Sequence, residues 1–236
     1  MDVRHLKIKA VLFDLGNTLV KVWVTEVVFH RVLSSLGITK SLEEIKPAIV
    51  KTELDFKNLG YRSMYGKLPY EEYWSKWNSF VLKNLDVPEN ERLAEMIQAK
   101  WYDHTECEAY PDAHETIHKL KQTGLKTGLV STGYEEDIHA ILERSGLKRE
   151  LFEVIVGANT IGREKPHPAV FRYALKSLGV KSQEALFVGD VIDADYRGAE
   201  NVGMKAILIR RRRVNTNEVD ELRTITSLQE IFAYMN

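Results

Sequence analysis

Five short runs of the chain are apolar with little alternation: residues 8–13, 126–131, 153–157, 185–189 and 205–210. Strands buried on both faces of a parallel sheet read this way, whereas half-exposed strands alternate. Between the last four runs the apolar positions shift to helical spacing, over 134–145, 168–178 and 195–202. Each of these stretches stops at a glycine: Gly146, Gly179 or Gly203. Glycine just past a helix takes the left-handed conformation that closes it. Strand and helix in alternation predict an α/β fold, a doubly wound, mainly parallel sheet with right-handed crossovers.

From residue 21 to 106 the strand pattern is missing. Ser41, Leu42, Glu43 and Glu44 read as a capping box that opens a helix. Tyr70, Tyr73, Trp74, Trp77, Phe80 and Val81 recur at helical spacing, and Pro88 marks the start of another helix. The expected organisation is a Rossmann-like core of residues 1–20 and 107–236 and an inserted all-helical domain of residues 21–106. The rings of the insert are read as its own core rather than as a substrate pocket. Residues 20–24 and 105–109 are read as linkers.

Composition then removes several function classes. The formal net charge of −1 offers no basic excess for nucleic acid or an anionic membrane. A single cysteine, Cys107, rules out an internal disulfide and a multi-cysteine zinc site. No apolar stretch approaches the roughly 18–20 residues that span a bilayer. The first residues, Met1 to His5, lack the apolar core of a signal peptide. These features predict a cytoplasmic protein with a small-molecule partner, without nucleic acid or membrane, and they leave the oligomeric state unspecified.

Four segments at strand ends carry the candidate chemistry. The first is Phe13-Asp14-Leu15-Gly16-Asn17-Thr18-Leu19, with a carboxylate at the tip of a strand, where open α/β sheets place their ligands. Such an Asp can act as a nucleophile. In the second, Leu129-Val130-Ser131-Thr132-Gly133, hydroxyls and free backbone N–H groups before a helix form an oxyanion or phosphate seat. The third, Gly162-Arg163-Glu164-Lys165-Pro166-His167-Pro168, puts an ammonium before a proline-opened helix. The fourth, Gly189-Asp190-Val191-Ile192-Asp193-Ala194-Asp195, is an acidic loop whose hard oxygens suit Mg²⁺. Singly, each has a plain alternative: a turn cap at Asp14, a helix cap at Ser131, a solvated Lys165, a surface acidic loop. Their joint occurrence in this order argues against those alternatives. The run Arg210 to Arg213 is read as a solvated loop. His167 is read as a solvent-facing residue at a helix start. His30, His114, His118 and His139 fall in predicted helices without metal-type pairing.

With these four segments the chain resembles the haloacid dehalogenase superfamily of aspartate-nucleophile hydrolases, over essentially its whole length and including a helical cap after the first strand. Glu108-Ala109-Tyr110-Pro111-Asp112-Ala113 and the stretch from Gly198 to Lys205 add to the likeness. The resemblance implies that Asp14 is the nucleophile and forms an aspartyl intermediate. It implies that Ser131, with Thr132 and Gly133, binds the transferring group and that Lys165 holds charge at the reaction centre. Mg²⁺ would be bound by Asp14, the backbone carbonyl of Gly16, Asp190 and Asp195. Asp195 would act as a ligand or by orienting Lys165 or a metal-bound water, and Asp193 lies off the pattern.

The chain departs from that family's phosphatases at one position. They usually carry a second aspartate, a general acid and base, where this chain has Gly16, and Asn17 replaces the usual glycine. Asparagine tolerates positive φ, so the turn geometry is expected to survive while the proton shuttle is lost. Losing a positioned acid costs on the order of 10²–10⁴ in rate when the leaving group needs a proton. The favoured reading is a Mg²⁺-dependent phosphatase for a small phosphorylated metabolite, most effective on good leaving groups. One alternative is a 2-haloacid dehalogenase, whose halide leaves without a proton, although Gly189-Asp190 favours a metal. The other is a weakly active protein that binds a ligand or partner.

Overall fold

In the computed structural model, which describes residues 7–88, 90–211 and 222–235, the apolar runs join one six-stranded sheet. In chain order the strands are β1 (Ala10–Phe13), β2 (Val20–Lys21), β3 (Glu108–Ala109), β4 (Lys126–Val130), β5 (Val154–Val156), β6 (Ala185–Gly189), β7 (Lys205–Ile209) and β8 (Thr224–Ile225). The sheet runs β5-β4-β1-β6-β7-β8, and every neighbouring pair in it is parallel. β1 therefore sits between β4 and β6, where the strand order changes direction.

The absence of alternation has a direct cause. Ala10, Leu12, Val130, Val156, Phe187, Ala206 and Leu208 share one buried cluster with Val170, Phe171 and Ala174 of α7 (Pro168–Leu178). Their neighbours Val11, Phe13, Leu129, Leu186, Val188, Ile207 and Ile209 are equally buried and stay out of that cluster. α5 (Pro111–Gln122) also packs on β4, and none of its buried residues joins the cluster. Both faces of the sheet are thus covered, so both sets of side chains had to be apolar. α6 (Glu135–Ser145) closes at Gly146 and α7 at Gly179, both left-handed.

The chain divides into two compact units, Met1–Lys21 with Glu108–Asn236, and Val22–Cys107. The second consists of α1 (Thr25–Ser35), α2 (Leu42–Asn58), α3 (Tyr70–Asn84) and α4 (Glu91–Lys100), with short 3₁₀ turns. The expected capping box is present: Glu44 N–H donates to Ser41 Oγ, and Ser41 N–H donates to the Glu44 carboxylate. Tyr73 and Trp77 are buried, and Phe56 meets Tyr73 and Phe80 edge to face at 5.7 and 5.1 Å, so these rings pack on one another. Aromatic pairs prefer this arrangement.

Three expectations need correction. Pro88 does not open α4; Asn90 caps it, accepting from Leu93 N–H at 3.4 Å. An amide that caps the first turn outweighs a proline preference. The stretches read as linkers contain β2 and β3, an antiparallel ladder whose Lys21 and Glu108 pair at 2.7 Å. The single helix expected over 195–202 is a π-helical turn, Ile192–Arg197, followed by α8 (Gly198–Glu200). Of the expected solvated arginine run, Arg212 and Arg213 lie outside the described residues, as do Met1 to His5. Among the described residues no helix is long and apolar enough to cross a membrane.

Candidate active site

The parallel register brings the tips of three strands together. Phe13 pairs with Leu129 of β4 and with Val188 of β6, and Asp14 N–H donates to the Val188 carbonyl at 2.9 Å. Asp14 therefore emerges beside the residues that follow β4 and β6. Brought out at a change of strand order, these residues border the crevice where open α/β sheets bind ligands.

The chain then turns tightly. Leu19 and Val20 N–H both donate to the Leu15 carbonyl, at 2.9 and 3.0 Å, and Asn17 N–H donates to the Val20 carbonyl at 2.7 Å. Asn17 has φ of 53°, the left-handed conformation expected of it. Its side chain hydrogen-bonds to Asp190. The residue that tolerates the turn is thus also tied to the acidic loop after β6.

Lys165 is the centre of the site. Its buried ammonium lies 2.7 Å from Asp14 Oδ1 and 2.6 Å from Asp195 Oδ1. Asp195 is held in turn, its Oδ2 accepting from Val191 N–H at 3.0 Å. That contact, four residues back, accompanies the π-helical turn, and such turns recur at functional sites. Gly189 makes room for it, because a Cβ there would stand 2.4 Å from the Asp195 carboxyl. Asp193 points elsewhere, pairing with exposed Arg197 at 2.7 Å.

Ser131 follows β4, one strand from β1. Its Oγ accepts from Gly133 N–H at 3.2 Å, which leaves the hydroxyl hydrogen to donate. Ala158 N–H donates to the Gly133 carbonyl at 2.8 Å, and Glu135 N–H donates to Asn159 Oδ1 at 2.8 Å. These bonds pin the turn. Thr132 is exposed, and Ser131 and Gly133 are half-buried.

The charges explain the titration. Burial pushes the Asp14 carboxyl up to about 7; Lys165 opposes the shift and Asp195 adds to it. Burial also raises Asp190, to about 6, reinforced by Asp195. Burial pulls Lys165 down, but Asp14 and Asp195 outweigh it and hold its pKa above the usual lysine value. One ammonium faces three carboxylates.

Asp14, Asp190 and Asp195 each offer a carboxylate oxygen within 4.8 Å of the others, the only such cluster among the described residues. Hard oxygen donors with an excess of negative charge fit Mg²⁺. Gly16 is half-buried on the same turn, in a bridge with Val20.

A sequence profile of the haloacid dehalogenase-like hydrolases matches residues 11–209. The chain belongs to that family. Among relatives of this haloacid dehalogenase-like hydrolase, a glyceraldehyde 3-phosphate phosphatase of Methanopyrus kandleri is 30% identical over 89% of this chain and 88% of its own. A pyrophosphatase of Bacillus cereus, PpaX, is 28% identical over 86% of this chain and 84% of its own. The crystal structure of a phosphatase from Thermococcus onnurineus superposes with a TM-score of 0.66, at 26% identity over 97% of this chain and 98% of that one.

The structure thus unites Asp14, Lys165, Asp190 and Asp195 and sets Ser131 on the adjoining strand end. Sequence reasoning missed Arg211, read as solvated. It is largely buried and bonds to Thr18 and Asp112. Inside an arginine run no local pattern distinguishes it. His167 caps α7, its Nδ1 accepting from Ala169 N–H at 3.2 Å.

Proposed function

We propose that this enzyme is a Mg²⁺-dependent phosphatase for a small phosphorylated metabolite, working through an aspartyl-phosphate at Asp14. The observation that carries this reading is the buried Lys165 ammonium bridging Asp14 and Asp195 inside a three-carboxylate cluster. The names of the relatives point the same way, since two of them act on phosphate esters or anhydrides.

The Asp14 Oδ not held by Lys165 attacks phosphorus in line. The bond from phosphorus to the leaving-group oxygen breaks, and its electron pair departs with that oxygen. Water then attacks the phosphorus of the aspartyl-phosphate, releasing inorganic phosphate and regenerating Asp14. Such transfer needs charge stabilisation more than covalent help. Lys165 supplies a fixed positive charge, and Asp195 positions it. Ser131 donates its hydroxyl hydrogen to a phosphoryl oxygen, beside the N–H groups around Thr132 and Gly133. Mg²⁺, held by Asp14, Asp190, the Gly16 carbonyl and Asp195, would neutralise charge on the phosphoryl oxygens.

Gly16 has no group with which to protonate the leaving oxygen. Carboxylate and acidic phenol leaving groups, which depart without a proton, are therefore turned over fastest. Residues 1–20 and 107–236 are the proposed catalytic core, and residues 21–106 the proposed helical cap domain. The cytoplasm is the proposed location.

The test is hydrolysis of p-nitrophenyl phosphate and acetyl phosphate beside halide release from 2-chloropropionate. Mg²⁺-dependent phosphate release that vanishes in Asp14→Asn supports the reading. Full activity in excess EDTA, or metal-independent halide release, overturns it.

A further inference from the structure

Arg211 is a buried cation for which the reaction just described has no use. Its side chain is 9% exposed. Two of its N–H groups, Nε at 3.1 Å and Nη2 at 2.6 Å, converge on the main-chain carbonyl of Thr18. A third, on Nη1, donates to Asp112 Oδ2 at 2.8 Å, and the guanidinium lies 3.9 Å from the centre of the Tyr110 ring. Tyr110 N–H in turn donates to the Leu19 carbonyl at 2.8 Å. Two successive carbonyls of the turn that begins at Asp14 are therefore gripped from outside, by two residues that stack on each other.

The anchor is itself well fixed. Asp112 lies in the first turn of α5, where the helix dipole favours a carboxylate. Its Oδ2 also accepts from Ser227 Oγ at 2.9 Å and Leu228 N–H at 2.8 Å. Burial pulls its pKa upward, but Arg211 and these donors hold it below the usual carboxylate range. A charged guanidinium paired to a charged carboxylate and aimed at one carbonyl is a strong, directional contact. The turn's own hydrogen bonds, from Leu19 and Val20 to Leu15 and from Asn17 to Val20, make it a stiff unit. Displacement of Thr18 is thereby passed to Asn17, which holds Asp190, and to Asp14, which faces Lys165.

We propose that Arg211 is a positioning residue for the nucleophile: by clamping the Thr18 carbonyl it keeps Asp14 and Asn17 aligned with Lys165 and Asp190. The proposal rests on the reading of Asp14 as nucleophile. It requires a guanidinium in particular, since a lysine ammonium cannot both stack flat on Tyr110 and send two converging donors to one carbonyl.

The experiment compares wild type, Arg211→Ala, Arg211→Lys and Asp14→Asn on acetyl phosphate with Mg²⁺. In Arg211→Ala, kcat is expected to fall by about 10–100-fold, as misplacement of a reacting group does, with KM little changed. Guanidinium ion at non-denaturing concentration is expected to restore part of that kcat and to leave wild type unaffected. Arg211→Lys is expected to keep the fold and lose kcat. Hydrogen exchange at the Asn17, Leu19 and Val20 amides is expected to quicken in both variants while β4 and β6 stay protected. Wild-type kcat in either variant overturns the proposal, as does loss of kcat in Arg211→Ala without guanidinium rescue. Should Arg211→Ala fail to fold, kcat and exchange in Arg211→Lys decide the matter. Activity surviving in Asp14→Asn instead overturns the nucleophile reading, whatever Arg211 does.

Discussion

Asp14→Asn is expected to make the metal-free protein more stable at pH 8 while abolishing turnover. Asp14 carries a buried carboxyl raised from 3.8 to about 7. A folded-state pKa above the unfolded one means that stability is fully present below about pH 4 and is lost as pH rises through 7. The gap of roughly three pKa units corresponds to about 4 kcal/mol at 1.36 kcal/mol per unit. Asparagine never ionises, so it escapes that cost. It keeps an oxygen for Lys165, whose attraction for the ionised carboxylate is already contained in that gap. The net gain is on the order of a few kcal/mol, a rise in Tm of several degrees at about 2–4 °C per kcal/mol. Thermal denaturation in EDTA at several pH values reads this directly. The variant should match wild type or fall slightly below it near pH 4, pull ahead between pH 4 and 7, and hold its lead at pH 8. Saturating Mg²⁺ should then raise wild type more than the variant, since the variant has lost a ligand. A variant less stable than wild type in EDTA at pH 8 would refute the reasoning, because Asp14 would then be a stabilising partner of Lys165.

Asp195 should behave in the opposite way. Both of its oxygens are bonded, so Asp195→Ala is expected to cost about 2–3 kcal/mol in chemical denaturation as well as activity. Gly189→Ala drives a Cβ to within 2.4 Å of the Asp195 carboxyl and should cost about 3 kcal/mol, read by the same denaturation curve. Gly16→Asp should raise kcat/KM on alkyl phosphates by about tenfold or more relative to p-nitrophenyl phosphate. Equal effects on both substrates would show that the leaving group's proton is not limiting.

The sheet was legible because a strand covered on both faces must be apolar throughout, as Val11, Leu12 and Phe13 are. The chemical segments were legible because the tips of such strands have little freedom: a carboxylate after Phe13 and another after Gly189 have to meet once β1 and β6 pair. Three features were hidden. The π-helical turn at Ile192–Arg197 accompanies a contact between Asp195 and Val191 N–H, which the apolar periodicity does not record. The β2–β3 ladder joins residues far apart in sequence through two residues on each side, too few to show alternation. Arg211 looks like its neighbours in the run, and only the arrival of Thr18, Tyr110 and Asp112 from distant parts of the chain gives it a role. Local pattern reports burial well and reports long-range polar pairing poorly.

The most direct measurement is to quench the enzyme with acid during turnover of acetyl phosphate with Mg²⁺ and locate the trapped phosphoryl group by peptide mass spectrometry. A label on Asp14 that hydroxylamine removes, absent from Asp14→Asn, is the expected result. Steady turnover with no label on Asp14, or a label on another residue, would contradict the account.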